Sequence, residues 1–192
     1  MRLFVALQIP AEVREAFSKL ADELRQIEGA AGRSAPGWVR TENLHVTLKF
    51  IGETLPDKLG AIRAALSSVK SNQDVTLDFR GLGFFPNEKW PRVFWAGMET
   101  SLNLKPLAID VDQSLEKVGI ARETRPFAPH LTLARFEPPG VTEHLRAAIQ
   151  KNAGRSFGLY RASAFHLIES ELKPSGAEYT TVQTFHFAVA EG

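Results

Sequence analysis

The feature that most constrains this chain is a motif that occurs twice. Leu44-His45-Val46-Thr47-Leu48 resembles Pro129-His130-Leu131-Thr132-Leu133, with His, an aliphatic residue, Thr and Leu in the same order. Each copy lies downstream of an apolar run, Phe4-Val5-Ala6 for the first and Phe94-Trp95-Ala96 for the second, with a helical pattern between. The two histidines are 85 positions apart and Phe4 and Phe94 are 90 apart, a difference that the longer loop before Trp38 absorbs. A repeated unit of this kind predicts two related lobes, each supplying one copy. On a strand, residues i and i+2 share a face. His45 and Thr47 therefore face one way and Leu44, Val46 and Leu48 the other. His130 and Thr132 do the same opposite Leu131 and Leu133.

The rest of the pattern mixes strands and helices without strict alternation. Leu3 to Ile9, Trp38 to Ile51, Val75 to Phe85, Arg92 to Met98 and Pro129 to Phe136 read as strands, the second as a strand or hairpin. Helical spacing joins Val13, Phe17, Leu20 and Leu24, then Leu59, Ile62, Leu66 and Val69, then Leu107, Val111, Leu115 and Val118. Gly119 suits a helix stop, and Thr142 an N-cap for a helix to about Lys151. Gly29 to Gly37 and Pro138-Pro139-Gly140 read as loops. In the tail, the aromatic-rich runs Ser156 to Glu171 and Tyr179 to Val189 read as a hairpin around Lys173-Pro174-Ser175-Gly176. This order predicts an α+β fold with largely antiparallel sheet. Nothing in the composition marks a linker, so residues 1–192 are expected to form one domain of two intertwined lobes.

Composition narrows the function. With 23 Lys and Arg against 22 Asp and Glu, the net charge is +1. That disfavours coating long nucleic acid by neutralising many phosphates, but leaves room for a pocket that holds one. There are no cysteines, hence no disulfide, zinc-thiolate site or thiol nucleophile. No apolar run approaches membrane-spanning length and the first residues do not form a signal peptide, so a cytoplasmic protein without a membrane partner is expected.

Two histidines facing each other across a cleft suit general acid–base chemistry, one taking a proton from the attacking oxygen and the other giving one to the leaving oxygen. Imidazole titrates near neutrality, so both forms are accessible. Threonine hydroxyls can position phosphate oxygens. A metal site would want a third or fourth ligand, and neither motif has a carboxylate two residues from its histidine; a Ser/His/Asp enzyme would want a Gly-x-Ser-x-Gly elbow, which is absent from the sequence. Phe84 and Phe127 are the candidates for stacking on a terminal base, with Phe85 and Trp90 behind them. His144, His166 and His186 read as surface or structural residues.

The chain resembles the RNA 2′,3′-cyclic phosphodiesterase family, also called 2′-5′ RNA ligases, of the two-histidine (2H) phosphoesterases. The resemblance rests on Arg2 to Leu7, Glu42 to Glu53, Gly81 to Pro86, Pro91 to Gly97 and Arg125 to Arg135, and more loosely on Phe165 to Ser170. It implies a bilobal, pseudo-twofold fold, with two mainly antiparallel sheets around a concave cleft and helices outside. It implies hydrolysis of RNA-terminal 2′,3′-cyclic phosphate to a 2′-phosphomonoester without metal or cofactor, with 2′-5′ ligation as the reverse reaction. RNA 3′ ends or short oligonucleotides would be the partners of a monomeric enzyme. His45 then corresponds to the proton donor and His130 to the proton acceptor, Thr47 and Thr132 to phosphate-binding hydroxyls, and Arg135 to a phosphate-binding arginine. Arg135 lies five residues after His130, so a regular strand would turn it to the opposite face; a bulge, the strand end or its own length must bring it round. The rival readings are a related enzyme acting on a small nucleotide, such as cyclic ADP-ribose phosphate or 2′-5′ oligoadenylate, and a non-catalytic nucleotide-binding module.

Overall fold

A computed structural model describes residues 1–29, 37–137, 140–174 and 176–188. Most of the expected loop between Gly29 and Gly37, Pro138-Pro139, Ser175 and Val189 lie outside the described residues. In chain order the elements are β1 (Arg2–Gln8), α1 (Ala11–Gly29), β2 (Gly37–Trp38), β3 (His45–Glu53), α2 (Leu59–Ser67), β4 (Val75–Phe85), β5 (Val93–Thr100), α3 (Leu104–Glu116), β6 (Leu131–Arg135), α4 (Glu143–Lys151), β7 (Ser156–Ala162), β8 (Ala164–Lys173) and β9 (Gly176–His186). The fold is α+β and every strand pair is antiparallel.

The sheet runs β7-β4-β5-β6-β3-β1-β8-β9, with β2 added on β6. Its two halves, β7-β4-β5-β6 and β3-β1-β8-β9, meet at one residue pair, Val46 opposite Leu131. The two inner strands, β3 and β6, are those that carry the repeated motif. The two expected sheets are thus joined at their motif strands into one surface. Strand β4 follows the first motif in the chain but sits in the half with the second, beside β5; β8 follows the second motif but sits beside β1.

The two faces of the sheet differ. Leu3, Val5, Leu7, Val46, Leu48, Leu131 and Leu133 join the main core, together with Phe17, Leu20, Ile62, Leu107, Val111, Leu145 and other helix residues. On this side α1 lies against α4 and β7, α2 against α3, and α3 against β3. On the other face Phe4, Ala6 and Ile168 form a separate small cluster against which Tyr179 packs. Strand β1 is buried from Leu3 to Leu7 because both faces are covered, which is why it reads as a continuous apolar run.

Local signals act as their chemistry requires. Thr142 accepts a hydrogen bond from the Leu145 amide at 3.2 Å and so caps α4. Gly119 follows α3 with φ +85°, a conformation that a Cβ would strain, and Ile120 N–H closes back on the Leu115 carbonyl at 3.1 Å. Two segments depart from the sequence reading. Trp38 to Ile51 is divided by a one-turn 3-10 helix at Thr41–Asn43 into β2 and β3. Ser156 to Glu171 is not one arm of a hairpin. It breaks at Ser163 into β7, which pairs with β4, and β8, which pairs with β1. The break falls at Ala162-Ser163-Ala164, where no Gly, Pro or Asn announces it. The expected hairpin is formed by β8 and β9.

Strand β3 carries a buried charge. Ala6 pairs with Thr47 and Val5 with Lys49, so Leu48 is an extra residue in a bulge. Lys49 consequently turns towards the helices and is only 4% exposed. Its ammonium donates to Asp112 Oδ1 of α3 at 2.6 Å and to the Ala121 carbonyl at 2.6 Å. Asp112 also accepts from the Glu123 amide at 3.1 Å and from Arg122 at 3.3 Å. Burial pushes the Asp112 carboxyl up, but the hydrogen bond from Lys49, the Glu123 amide and the nearby cations outweigh it and hold it below the usual range. Removing one partner strands the other. Asp112→Ala is expected to cost about 3 kcal/mol in denaturant unfolding, and Lys49→Met with Asp112→Leu to recover most of it. A loss for Asp112→Ala within the noise of the measurement would show that the pair is not a stabilising node.

Candidate active site

His45 opens β3 and His130 stands one residue before β6, and both are oriented in the same way. His45 Nδ1 meets the Asn43 carbonyl at 2.7 Å, and His130 Nδ1 meets the Ala128 carbonyl at 2.8 Å. A carbonyl only accepts, so Nδ1 carries the hydrogen in each ring, and Nε2 is left to take or give a proton. Thr47 lies opposite Ala6 and Thr132 opposite Trp95, on the face away from the helices. All four motif side chains are partly exposed there.

Each imidazole has an aromatic ring edge-on to it from a hairpin arm. Tyr179 of β9 is 5.4 Å from His45 at 75°, and Phe85 at the end of β4 is 5.0 Å from His130 at 83°. Behind them, Phe4 lies 4.7 Å from His45 and 5.0 Å from Tyr179, while Trp95 lies 5.2 Å from Phe85. The β8–β9 hairpin reaches over the cleft, since Asn43 Nδ2 donates to the Ala177 carbonyl at 2.7 Å and Gln8 Nε2 donates to Thr181 Oγ1 at 2.8 Å.

Arg135 reaches the same face by a bulge. Trp95 pairs with Thr132 and Phe94 with Ala134, so Leu133 is the extra residue. Leu133 and Ala134 are both buried, the alternation is reset, and Arg135 emerges exposed, opposite Val93. Its charge is felt at both His45 and Tyr179. The bulge in β3 stands at the matching place, so the counterpart of Arg135 in the first motif is Phe50, which is 54% exposed on this face and 6.2 Å from Phe4.

Other expectations are corrected. Phe84 is not in the cleft. It is 9% exposed and packs in the core against Phe94 and Phe136, while its neighbour Phe85, one residue on, faces His130. Phe127 packs its half-buried ring against the main core. Phe94 is not the structural match of Phe4: it is fully buried on the helix side, whereas Phe4 stands beside His45. His166 lies opposite Ala6, hence on the cleft face, and its Nδ1 is 3.1 Å from Thr184 Oγ1.

Trp95 and Tyr179 are the cleft aromatics that the sequence reading missed, whereas Phe85 was a secondary stacking candidate and does face His130. One signal was available in Gly83 and Gly97. A Cβ at Gly83 would stand 2.4 Å from the Trp95 ring, and one at Gly97 3.3 Å from it, so the indole lies flat where these residues have no side chain. Gly83→Ala is therefore expected to displace Trp95 and cost about 1–3 kcal/mol of stability, read by denaturant unfolding, with a change in tryptophan fluorescence; an unchanged spectrum would count against it.

Electrostatics distinguish the two histidines. Burial pushes His45 below the ordinary imidazole value of 6.5; the Asn43 carbonyl opposes this, and the charges of His130 and Arg135 reinforce it. A histidine depressed in the folded state binds fewer protons than in the unfolded chain. Its contribution to stability is present above 6.5 and is lost as pH falls from there towards the folded value. His166, also lowered by burial and by His186, acts in the same sense. The unfolding midpoint is expected to drop as the solution is acidified below 6.5, and His45→Gln to flatten that drop in part. An undiminished slope in the variant would refute the assignment.

Comparison with known proteins identifies the family of the chain. Residues 7–95 and 98–179 match the model of the family described as LigT like Phosphoesterase. A relative from Archaeoglobus fulgidus named RNA 2′,3′-cyclic phosphodiesterase is 37% identical over 187 residues, covering 96% of this chain and 99% of that one. Among solved structures, the protein TT0787 of Thermus thermophilus superposes with a TM-score of 0.81 at 30% identity over 100% of both chains. E. coli LigT complexed with NADP+ gives 0.77 at 27% identity, covering 97% of this chain and 96% of that one. With the match extending over most of its length and the paired histidines on one cleft, this chain belongs to the LigT-like phosphoesterase family.

Proposed function

We propose that the chain hydrolyses 2′,3′-cyclic phosphate at RNA ends to a 2′-phosphomonoester, an activity consistent with the names of its relatives. The observation that carries this reading is the matched pair of imidazoles, each with Nδ1 held by a carbonyl two residues upstream and Nε2 left for proton transfer. Thr47, Thr132 and Arg135 would hold the phosphate oxygens. His130 takes a proton from water as the water oxygen attacks phosphorus. The bond from phosphorus to the 3′-oxygen breaks, and that oxygen takes a proton from His45. The phosphate stays on the 2′-oxygen. The pair then exchanges protons with solvent and resets. A bound phosphate anion beside His45 offsets the burial and positive charge that disfavour its protonated form. No step calls for a metal, and the same in-line attack by an RNA 5′-hydroxyl in place of water would form a 2′-5′ linkage, with His130 taking the hydroxyl proton and His45 giving one to the 3′-oxygen. Both sheet halves would then act as one unit, since each supplies one proton-transfer group.

The test uses an RNA ending in 2′,3′-cyclic phosphate, in EDTA. Turnover to a 2′-phosphate end is expected, and His45→Ala or His130→Ala should lower kcat by about a hundred- to ten-thousandfold with the fold retained. A 3′-phosphate product, or activity that needs added metal, would overturn the mechanism. The roles separate on a substrate with sulfur in place of the bridging 3′-oxygen, whose thiolate leaves without a proton. There His45→Ala should recover and His130→Ala should not; the reverse pattern would exchange their roles.

A further inference from the structure

The turn between β4 and β5 holds an exposed tryptophan that the hydrolytic site does not use. Trp90 is 68% exposed. It is not on a loose loop. Asn87 Oδ1 accepts from the amides of Lys89 and Trp90 at 3.0 and 3.1 Å. Arg92 N–H closes the turn on the Phe85 carbonyl at 2.8 Å. From outside, Phe136 N–H donates to the Arg92 carbonyl at 2.9 Å, and Arg146 of α4 donates to the Glu88 carbonyl at 2.9 Å. An indole left in water on a braced turn gains little from packing where it stands.

The turn is also continuous with the site. At its base Phe85 stands edge-on to His130, and the first strand residue after it, Val93, is opposite Arg135. Lys89 and Arg92 are exposed on either side of Trp90, with Glu88 as the opposing charge in the turn. Lys89 and Arg92 are thus exposed cations within the turn, and Arg135 is an exposed cation beside its base. An aromatic face flanked by cations is how proteins hold unpaired nucleotides, since every base offers a π-face. A cyclic phosphate occupies the 3′ end of an RNA, so the remainder of the chain must leave the cleft in the 5′ direction.

We propose that Trp90 stacks on a nucleobase upstream of the cyclic end, with Lys89 and Arg92 against the intervening backbone, so that the preferred substrate is a single-stranded oligonucleotide and not a mononucleotide. The proposal rests on the hydrolytic reading above and extends it to the length of the substrate.

Two measurements on the full chain test it. In steady-state kinetics, Trp90→Ala should raise KM for a short oligoadenylate ending in 2′,3′-cyclic phosphate by roughly tenfold. It should leave kcat and KM for adenosine 2′,3′-cyclic phosphate unchanged, and Trp90→Phe should retain most of the wild-type KM. In fluorescence anisotropy, a labelled oligoadenylate ending in 2′-phosphate should bind the Trp90→Ala variant roughly tenfold more weakly. If wild type turned over neither substrate while this binding still depended on Trp90, the hydrolytic reading would fail and the stacking site would stand. Equal effects on both substrates, no effect on either, or a change in sedimentation with oligonucleotide binding intact would overturn the proposal. The last would make Trp90 a protein contact.

Discussion

The site depends on one seam. The two halves of the sheet touch at a single pair, Val46 opposite Leu131, and each of these residues stands between the histidine and the threonine of its own motif. Backbone pairing at the seam therefore fixes the distance and direction between two acid–base groups that are 85 residues apart in the chain. Both residues are fully buried on the helix side, so the core holds the seam from behind while the cleft face is left for chemistry. Because β4 and β8 each follow one motif and pair in the half that holds the other, the halves are tied together by chain crossing as well as by that contact.

Around the seam the arrangement is nearly twofold. Each imidazole has a carbonyl two residues back and an aromatic ring edge-on from a hairpin arm. The departures from symmetry fall at the bulges. In β6 the bulge turns Ala134 inward and Arg135 outward; in β3 it turns Lys49 inward and Phe50 outward. One motif strand thus has its cation in the cleft and the other has it behind the sheet, bound to Asp112. A site with two equivalent histidines would not distinguish the two ends of a cyclic phosphodiester, and Arg135, whose charge acts on His45, supplies a difference.

Much of this was legible in the sequence. The motif pair, its faces, the α+β class and the end signals at Gly119 and Thr142 follow from residue types at fixed spacings, which local backbone geometry determines. What was not legible depends on partners remote in sequence. Phe84 and Phe85 are adjacent aromatics, and which of them faces the cleft is decided by register with β5 and β7, where shifts at Phe79 break a simple count. The division of Ser156 to Glu171 into two strands depends on which existing edge each part can pair with, and its small residues give no turn signal. The alignment of Phe4 with Phe94 failed by one residue, enough to exchange the faces of a strand.

A strand of period two has only two phases, and an extra residue moves everything beyond it from one to the other. The insertion at Leu133 therefore acts as a phase shift in the code that assigns side chains to core or cleft. If the same residues ran in regular alternation with no bulge, Phe136 would come to the phosphate and the guanidinium of Arg135 would enter the packed interior, where Phe136 now contacts Phe84. Changes of a single residue in length near such a point can rewrite the polarity of the site while every side chain in it is preserved, a route to new specificity that substitution at one position does not provide.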